Sequence, residues 1–243
     1  RRDLGHWSFR RIMPYIISHK LQENLPEMWF EGKPYESEVI YSIDGNPPPV
    51  NYQKHIIKSH SLTHCEGSLH TQAQGKSIDH YFSGEFFYGK CTVAKLKGDN
   101  FQLVDKEKEI YHWEVTLKEL QNLLDNKIPN KLLLSVENYP ENEYSFHDPN
   151  YVLTLSLEAA SWLVSNNEFN LLGNSWKSTD FKPGSMERPV HNKIFENAVI
   201  LENLKLQNVP EGEYFLSAYP LEIKGASESP VTAVLYSKNE VSI

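Results

Sequence analysis

The sequence predicts a single α/β domain rich in strands, and three observations carry that prediction. Candidate strands outnumber candidate helices by about three to one and mix with them irregularly, without a repeat period or a low-complexity linker. Of the 243 residues, 40% are hydrophobic and 23% charged, the balance of a folded globule rather than a disordered or fibrous chain. Two cysteines, Cys65 and Cys91, are too few to staple a chain of this size, so a buried core must stabilise it. The domain is expected to span residues 1–243. Residues 1–13 read as an N-terminal extension whose Arg1, Arg2, Arg10 and Arg11 form a solvated basic tail.

Residues 15–19 (YIISH) form a short apolar run expected to be a buried strand, closed by the turn-prone stretch 24–26. Residues 38–43 alternate as a second strand, and Asp44, Gly45 and Asn46 before three prolines make a turn and an extended loop. Residues 91–97 and 101–104 read as a strand pair joined at Gly98. Leu117, Leu120, Leu123 and Leu124 lie on one helical face, with Thr116 as cap and Glu119 in capping-box position. Residues 132–136 suit a buried strand, and Ser156 opens a second helix along Leu157, Ala160, Leu163 and Val164. Further strands are expected at 169–172, 199–204, 214–223 and 232–236.

A net charge of −8 argues against nucleic acid, whose phosphates call for Lys and Arg, and equally against an anionic membrane surface. No stretch approaches the ~18 apolar residues of a membrane-spanning helix. The Asn-x-Ser/Thr glycosylation pattern does not occur, and a cytoplasmic location is the expectation.

Five of the ten histidines fall within residues 55–80. In HSLTHCEGSLH, the residues His60, His64, Glu66 and His70 are all separated by even offsets, so an extended backbone turns their side chains to one face. A helix would scatter them. A straight strand would hold His60 and His64 ~13 Å apart, so a metal bonded to both at ~2.0–2.2 Å requires the segment to bend. Imidazole and carboxylate suit Zn²⁺, Mn²⁺ or Fe²⁺. The alternative is a His-rich surface loop with no ion. Cys65 faces away from His64 and Glu66 on such a strand and reads as a buried structural thiol rather than a nucleophile. There is no G-x-S-x-G, G-x-x-x-x-G-K, G-x-G-x-x-G or H-E-x-x-H.

The His60–His70 segment resembles the hallmark H-x-G-T-H-x-D-x-P-x-H of the cyclase family, which includes bacterial kynurenine formamidase and isatin hydrolase. IISHKLQENLP, LEAASWL before Leu-Leu-Gly, HNKIFENAVILENL and PLEIKGASESPVTAVL are similar to family segments in the same order, over residues 14–236. The resemblance implies a fold of the swivelling β/β/α type, a homodimer or higher homo-oligomer, and a hydrolase with one or two divalent metals, Zn or Mn. It implies that His60 and His64 hold one metal and His191 a second, with Glu66 and Glu202 as bridging carboxylates and His70 as general acid/base. The substrate implied is an amide, an arylformamide or a lactam.

Four positions depart from the family pattern: Glu66 for Asp, Leu62 for Gly, Ser68 for Pro, and Asn174 for Asp. Leu62 would be strained if its backbone needed a positive φ, and Ser68 would loosen the approach to His70. Two functions follow. One is a metal-dependent hydrolase of a C–N bond, supported by the full set of ligand-type side chains. The other is a catalytically inactive binding protein on the same fold, supported by the altered loop.

Overall fold

Leu132, Leu133 and Leu134 point alternately to two cores, as a strand buried on both faces must. In the computed structural model, which describes residues 14–29, 31–45, 47–142, 146–181, 187–238 and 240, this run is the middle of a nine-stranded sheet. The extension expected over 1–13, and Asn46 of the expected turn, lie outside the described residues. The elements are β1 (Tyr15–Ile16), β2 (Tyr35–Tyr41), β3 (Tyr52–Ile57), β4 (His64–Glu66), β5 (Tyr88–Leu96) and β6 (Gln102–Asp105). They continue with β7 (Ile110–Val115), α1 (Leu117–Leu123), β8 (Lys131–Val136), β9 (Tyr151–Leu155), α2 (Leu157–Val164) and β10 (Leu171–Asn174). The chain closes with α3 (Pro189–Ile194), β11 (Val199–Glu202), β12 (Gly212–Ser217), β13 (Glu228–Pro230) and β14 (Val234–Tyr236).

The large sheet runs β1-β14-β12-β5-β8-β10-β11-β4-β13. Its central strands β5, β8, β10 and β11 are parallel, and the flanking pairs are antiparallel. One face packs on the helices through Leu132, Leu134, Leu172 and Ile200. The other packs under Ile17, Ile78, Tyr81, Phe87 and Leu206. Gly173 keeps β10 close to its neighbours, because a Cβ there would collide with the side chains of Leu133 and Leu204. Strands β6, β7 and β9 form a small sheet that contributes Trp113, Val115, Leu153 and Leu155 to the helix-side core. This is the strand-rich α/β architecture expected.

Thr116 and Glu119 form the expected reciprocal cap, with Glu119 N–H donating to Thr116 Oγ1 at 3.3 Å and Thr116 N–H to Glu119 Oε2 at 2.8 Å. Such a cap is worth about 1 kcal/mol. Ser156 caps α2 through Ala159 N–H. The expected pairing of 91–97 with 101–104 does not form. β5 is buried along most of its length and joins β8 and β12, whereas β6 is mostly exposed and joins β7. Gly98, at φ +96°, turns the chain from one sheet to the other. Among the described residues no helix is long and apolar enough to cross a membrane.

Candidate metal centre

The histidine segment bends as two metal-binding histidines would require. Ser59–Ser61 and Ser68–His70 are single 3-10 turns, and between them β4 carries His64 and Glu66 on one face with Cys65 on the other. Gly67 follows at a point where a Cβ would stand 2.8 Å from the Lys76 carbonyl oxygen. β4 lies against the ends of two strands from far along the chain. Register sets His64 opposite Glu202 of β11, and Glu66 opposite Glu228 of β13.

Glu66 is the centre of the cluster. Its Oε1 lies 3.3 Å from His60 Nε2, 3.1 Å from His64 Nε2 and 3.3 Å from His70 Nε2, and its Oε2 lies 3.3 Å from His191 Nε2. Glu202 approaches from the other side, 3.6 Å from His191 Nε2 and 3.9 Å from His64 Nε2. Ligand-type atoms of His60, His64, Glu66 and Glu202 all lie within 4.8 Å of one another.

Two of the rings have their far nitrogens anchored. His64 Nδ1 meets the Leu62 carbonyl at 2.7 Å, and His191 Nδ1 meets Asp180 Oδ2 at 2.7 Å. Each anchor aims the Nε2 at the carboxylates, the arrangement that orients imidazole ligands around an ion. Asp180 also accepts the N–H groups of Val190 and His191 at the start of α3, so one carboxylate positions both helix and ring. Thr179 Oγ1 donates to Glu202 Oε1 at 2.9 Å and is itself bonded by Asn174 Nδ2 at 3.1 Å.

The charges inside this site are unbalanced in a way that fits a cation. Glu66 and Glu202 are fully buried, and each leaves Oε2 without a hydrogen bond among the described residues. No lysine or arginine of the described residues pairs with either. Burying two carboxylates this way costs several kcal/mol per ion unless positive charge arrives. Burial pushes the Glu66 carboxyl up, yet the imidazoles of His191, His60 and His64 outweigh it and hold it well below the usual carboxylate range. Burial likewise opposes charge on His191, and Asp180, Glu202 and Glu66 overcome it to raise that imidazole well above its ordinary value. The two imidazoles and two carboxylates that converge here, His60, His64, Glu66 and Glu202, suit a divalent ion, and His191 lies outside that group of four, against the two carboxylates.

The comparisons follow the same line. No family model matches the chain. It is 27% identical over 220 residues to the kynurenine formamidase of Bacillus mycoides (strain KBAB4), covering 90% of this chain and 95% of that one. The fold superposes on isatin hydrolase A of Labrenzia aggregata with TM-score 0.68 at 18% identity, covering 92% and 93% of the two chains. It also superposes on a potential metal-dependent hydrolase with cyclase activity, with TM-score 0.64 at 20% identity and 92% and 98% coverage. The chain is a divergent relative of these proteins, similar to them over about nine-tenths of its length.

Two of the departures from the family pattern, Leu62 and Ser68, are accommodated by the local structure, whereas Asn174 leaves its buried Oδ1 without a hydrogen bond among the described residues. Leu62 sits at φ −119°, ψ 178°, extended backbone open to any residue. Its side chain fills a small core with Leu25, Met28 and Phe146. Ser68 does not loosen the turn before His70, because its Oγ accepts Lys76 N–H at 2.7 Å and the Tyr81 hydroxyl at 3.2 Å. Cys65 is buried and free, as expected.

Glu228 is the neighbour that sequence spacing could not reveal. Its Oε2 lies 3.6 Å from His70 Nδ1, so His70 stands between two carboxylates. The His70 imidazole, ahead of the opposing effect of burial and the help of the Ser227 hydroxyl, brings the Glu228 carboxyl down to about 2. Beside His60 and His70 opens a cavity of about 680 Å³, lined also by Thr71, Glu187, Arg188, Pro189 and Asn192. That size falls within the range of small-molecule sites.

Proposed function

We propose that this chain is a metal-dependent hydrolase that cleaves the C–N bond of an amide, an arylformamide or a lactam. The observation that carries the reading is the convergence of four imidazole Nε2 atoms on the buried Glu66 carboxylate, with Glu202 beside it and an open cavity next to His70. His60, His64, Glu66, His191 and Glu202 would hold one or two ions, Zn²⁺ or Mn²⁺. When bound, such an ion supplies Lewis acidity, which polarises a carbonyl and makes hydroxide available near neutral pH.

The chain's own residues supply the rest. The Leu62 carbonyl and Asp180 keep His64 and His191 in fixed tautomers, so the site needs no rearrangement when substrate arrives. His70 is mostly buried at the cavity wall and carries protons: it delivers one to the departing nitrogen, without which the amine leaves poorly. Glu228 fixes the orientation of the His70 ring from Nδ1, leaving Nε2 toward the reacting centre. The altered loop that carried the binding-protein alternative is unstrained here, which supports the hydrolase.

The single domain is proposed to act as a homodimer or higher homo-oligomer. β2 and β3 form a separate two-stranded sheet exposing Val39, Tyr41, Tyr52 and Ile56, and a lone hairpin is marginal in water unless something packs on it. A reducing compartment such as the cytoplasm suits the buried free thiols of Cys65 and Cys91.

The experiment is metal content by mass spectrometry on protein purified without an affinity tag, followed by an assay of formate release from aryl formamides. About one or two equivalents of Zn or Mn, with turnover, is the expected result. No metal after incubation with excess Zn²⁺ and Mn²⁺ sinks the reading.

A further inference from the structure

We infer that the cavity beside His60 and His70 is a subsite for an anion, in which Arg188 and Asn192 hold a carboxylate of the substrate. The inference rests on the hydrolase reading and adds the charge class of the molecule hydrolysed.

Arg188 is the only lysine or arginine lining this cavity among the described residues. It is half-buried, and its guanidinium makes one 3.3 Å bond, to the Glu187 carbonyl, with no carboxylate partner among the described residues. A guanidinium carries five N–H donors in a planar fork, so most of them remain for a ligand. Asn192 presents a second donor. Its Oδ1 accepts from Thr71 Oγ1 at 2.7 Å and Gln72 Nε2 at 3.3 Å, which orients the amide and leaves its Nδ2 donors outside those two bonds.

The lining therefore offers the donors of Arg188 and Asn192 together with the rings of His60 and His70. Glu187 lines the same cavity but is exposed to solvent, where its field is screened, and Arg188 is the more buried of the two. The chain as a whole carries −8, so an anion is not drawn in by the global field. Recognition of an anion has to be local, and the Arg–carboxylate pair is the strong local device.

The test compares two ligands of one shape and different charge on the Zn-loaded protein. Calorimetry measures binding of para-aminobenzoate and para-aminobenzamide, and formate release measures hydrolysis of para-formamidobenzoate and para-formamidobenzamide. Wild type is expected to favour the carboxylate by about tenfold or more. Arg188→Leu and Asn192→Ala are expected to shrink that preference, Arg188→Leu to within about twofold, with Zn content equal to wild type. A wild type that binds both ligands equally, or binds neither below about 1 mM, overturns the subsite. So does an Arg188→Leu variant that keeps the full preference, which would place the carboxylate on the ion. Arg188-dependent binding without formate release from either compound supports the subsite and removes arylformamides from the hydrolase reading. Formate release without a charge preference does the reverse.

Discussion

Asp180 grips His191 twice. Its Oδ2 accepts the backbone N–H at 2.9 Å and lies 2.7 Å from ring Nδ1, while Oδ1 takes the N–H of Val190 at 3.0 Å. Helix and ring are thus positioned by one carboxylate that, among the described residues, meets the cluster only at His191. Asp180→Asn removes the charge and allows the wrong His191 tautomer, while the amide oxygen still caps α3. Metal affinity, read by competition with a chromophoric chelator, should fall by about 10–100-fold with the fold intact by circular dichroism. An unchanged affinity would remove Asp180 from the site.

His70 and Glu228 form the next test, which separates holding the ion from moving the proton. His70→Ala should keep metal content and lose about 10²–10⁴-fold in turnover, whereas His60→Ala or Glu66→Ala should lose the metal itself. Glu228→Gln should lower kcat by about tenfold with KM nearly unchanged, and Glu228→Asp should restore part of it. Equal metal in wild type and the His60 variant would refute the ligand assignment.

The even spacing of His60, His64, Glu66 and His70 was legible because period and chemistry coincide in one short segment. So was the need for a bend, supplied by two 3-10 turns. Glu202 and His191 came only through the resemblance, since neither has a local signature. Glu228 and Arg188 had no signal at all. Their positions depend on the β13–β4 register and on the start of α3, contacts between segments far apart in sequence. The failed pairing of β5 with β6 has the same root. A turn residue such as Gly98 announces a change of direction, but the burial of β5 among other strands decides its partners.

Acid stability should report His19. Burial, with help from Lys205, lowers its pKa from 6.5 to about 3, so the folded imidazole stays neutral where the unfolded one takes up a proton. The unfolded state binds more protons in that window, and stability is lost as pH falls from 6.5 toward 3 by up to about 1.4 kcal/mol per pH unit. His19→Phe keeps a ring stacked on Phe146, whose centroid lies 3.6 Å away, and removes the titration. Urea unfolding of chelator-treated wild type and variant at pH 6.5, 5.5 and 4.5 should show the gap between them closing in favour of the variant by about that slope. Parallel curves would mean that His19 is protonated in the folded state.

The hairpin makes a prediction about assembly. Val39 is 64% exposed and Tyr52 56% exposed on a two-stranded sheet. Val39→Glu with Tyr52→Glu should lower the mass measured by light scattering to that of a monomer, without changing the helix signal in circular dichroism. If wild type is already monomeric at micromolar concentration, the hairpin is not a self-association surface.

Leu62 tests whether the altered loop is a defect or a substitution of one support for another. Its backbone is extended, so a glycine's freedom has no use there, while its buried side chain holds Leu25, Met28 and Phe146 together. What the site takes from position 62 is the carbonyl that accepts from His64 Nδ1 and from Asn203 Nδ2 at 3.1 Å, and every residue has one. Leu62→Gly should therefore lose about 2–5 kcal/mol of stability through the cavity, with more from chain entropy, yet still bind the same equivalents of metal at low temperature. A Leu62→Gly protein with undiminished stability and higher turnover would show the opposite: that the leucine obstructs the site and the loop is decayed.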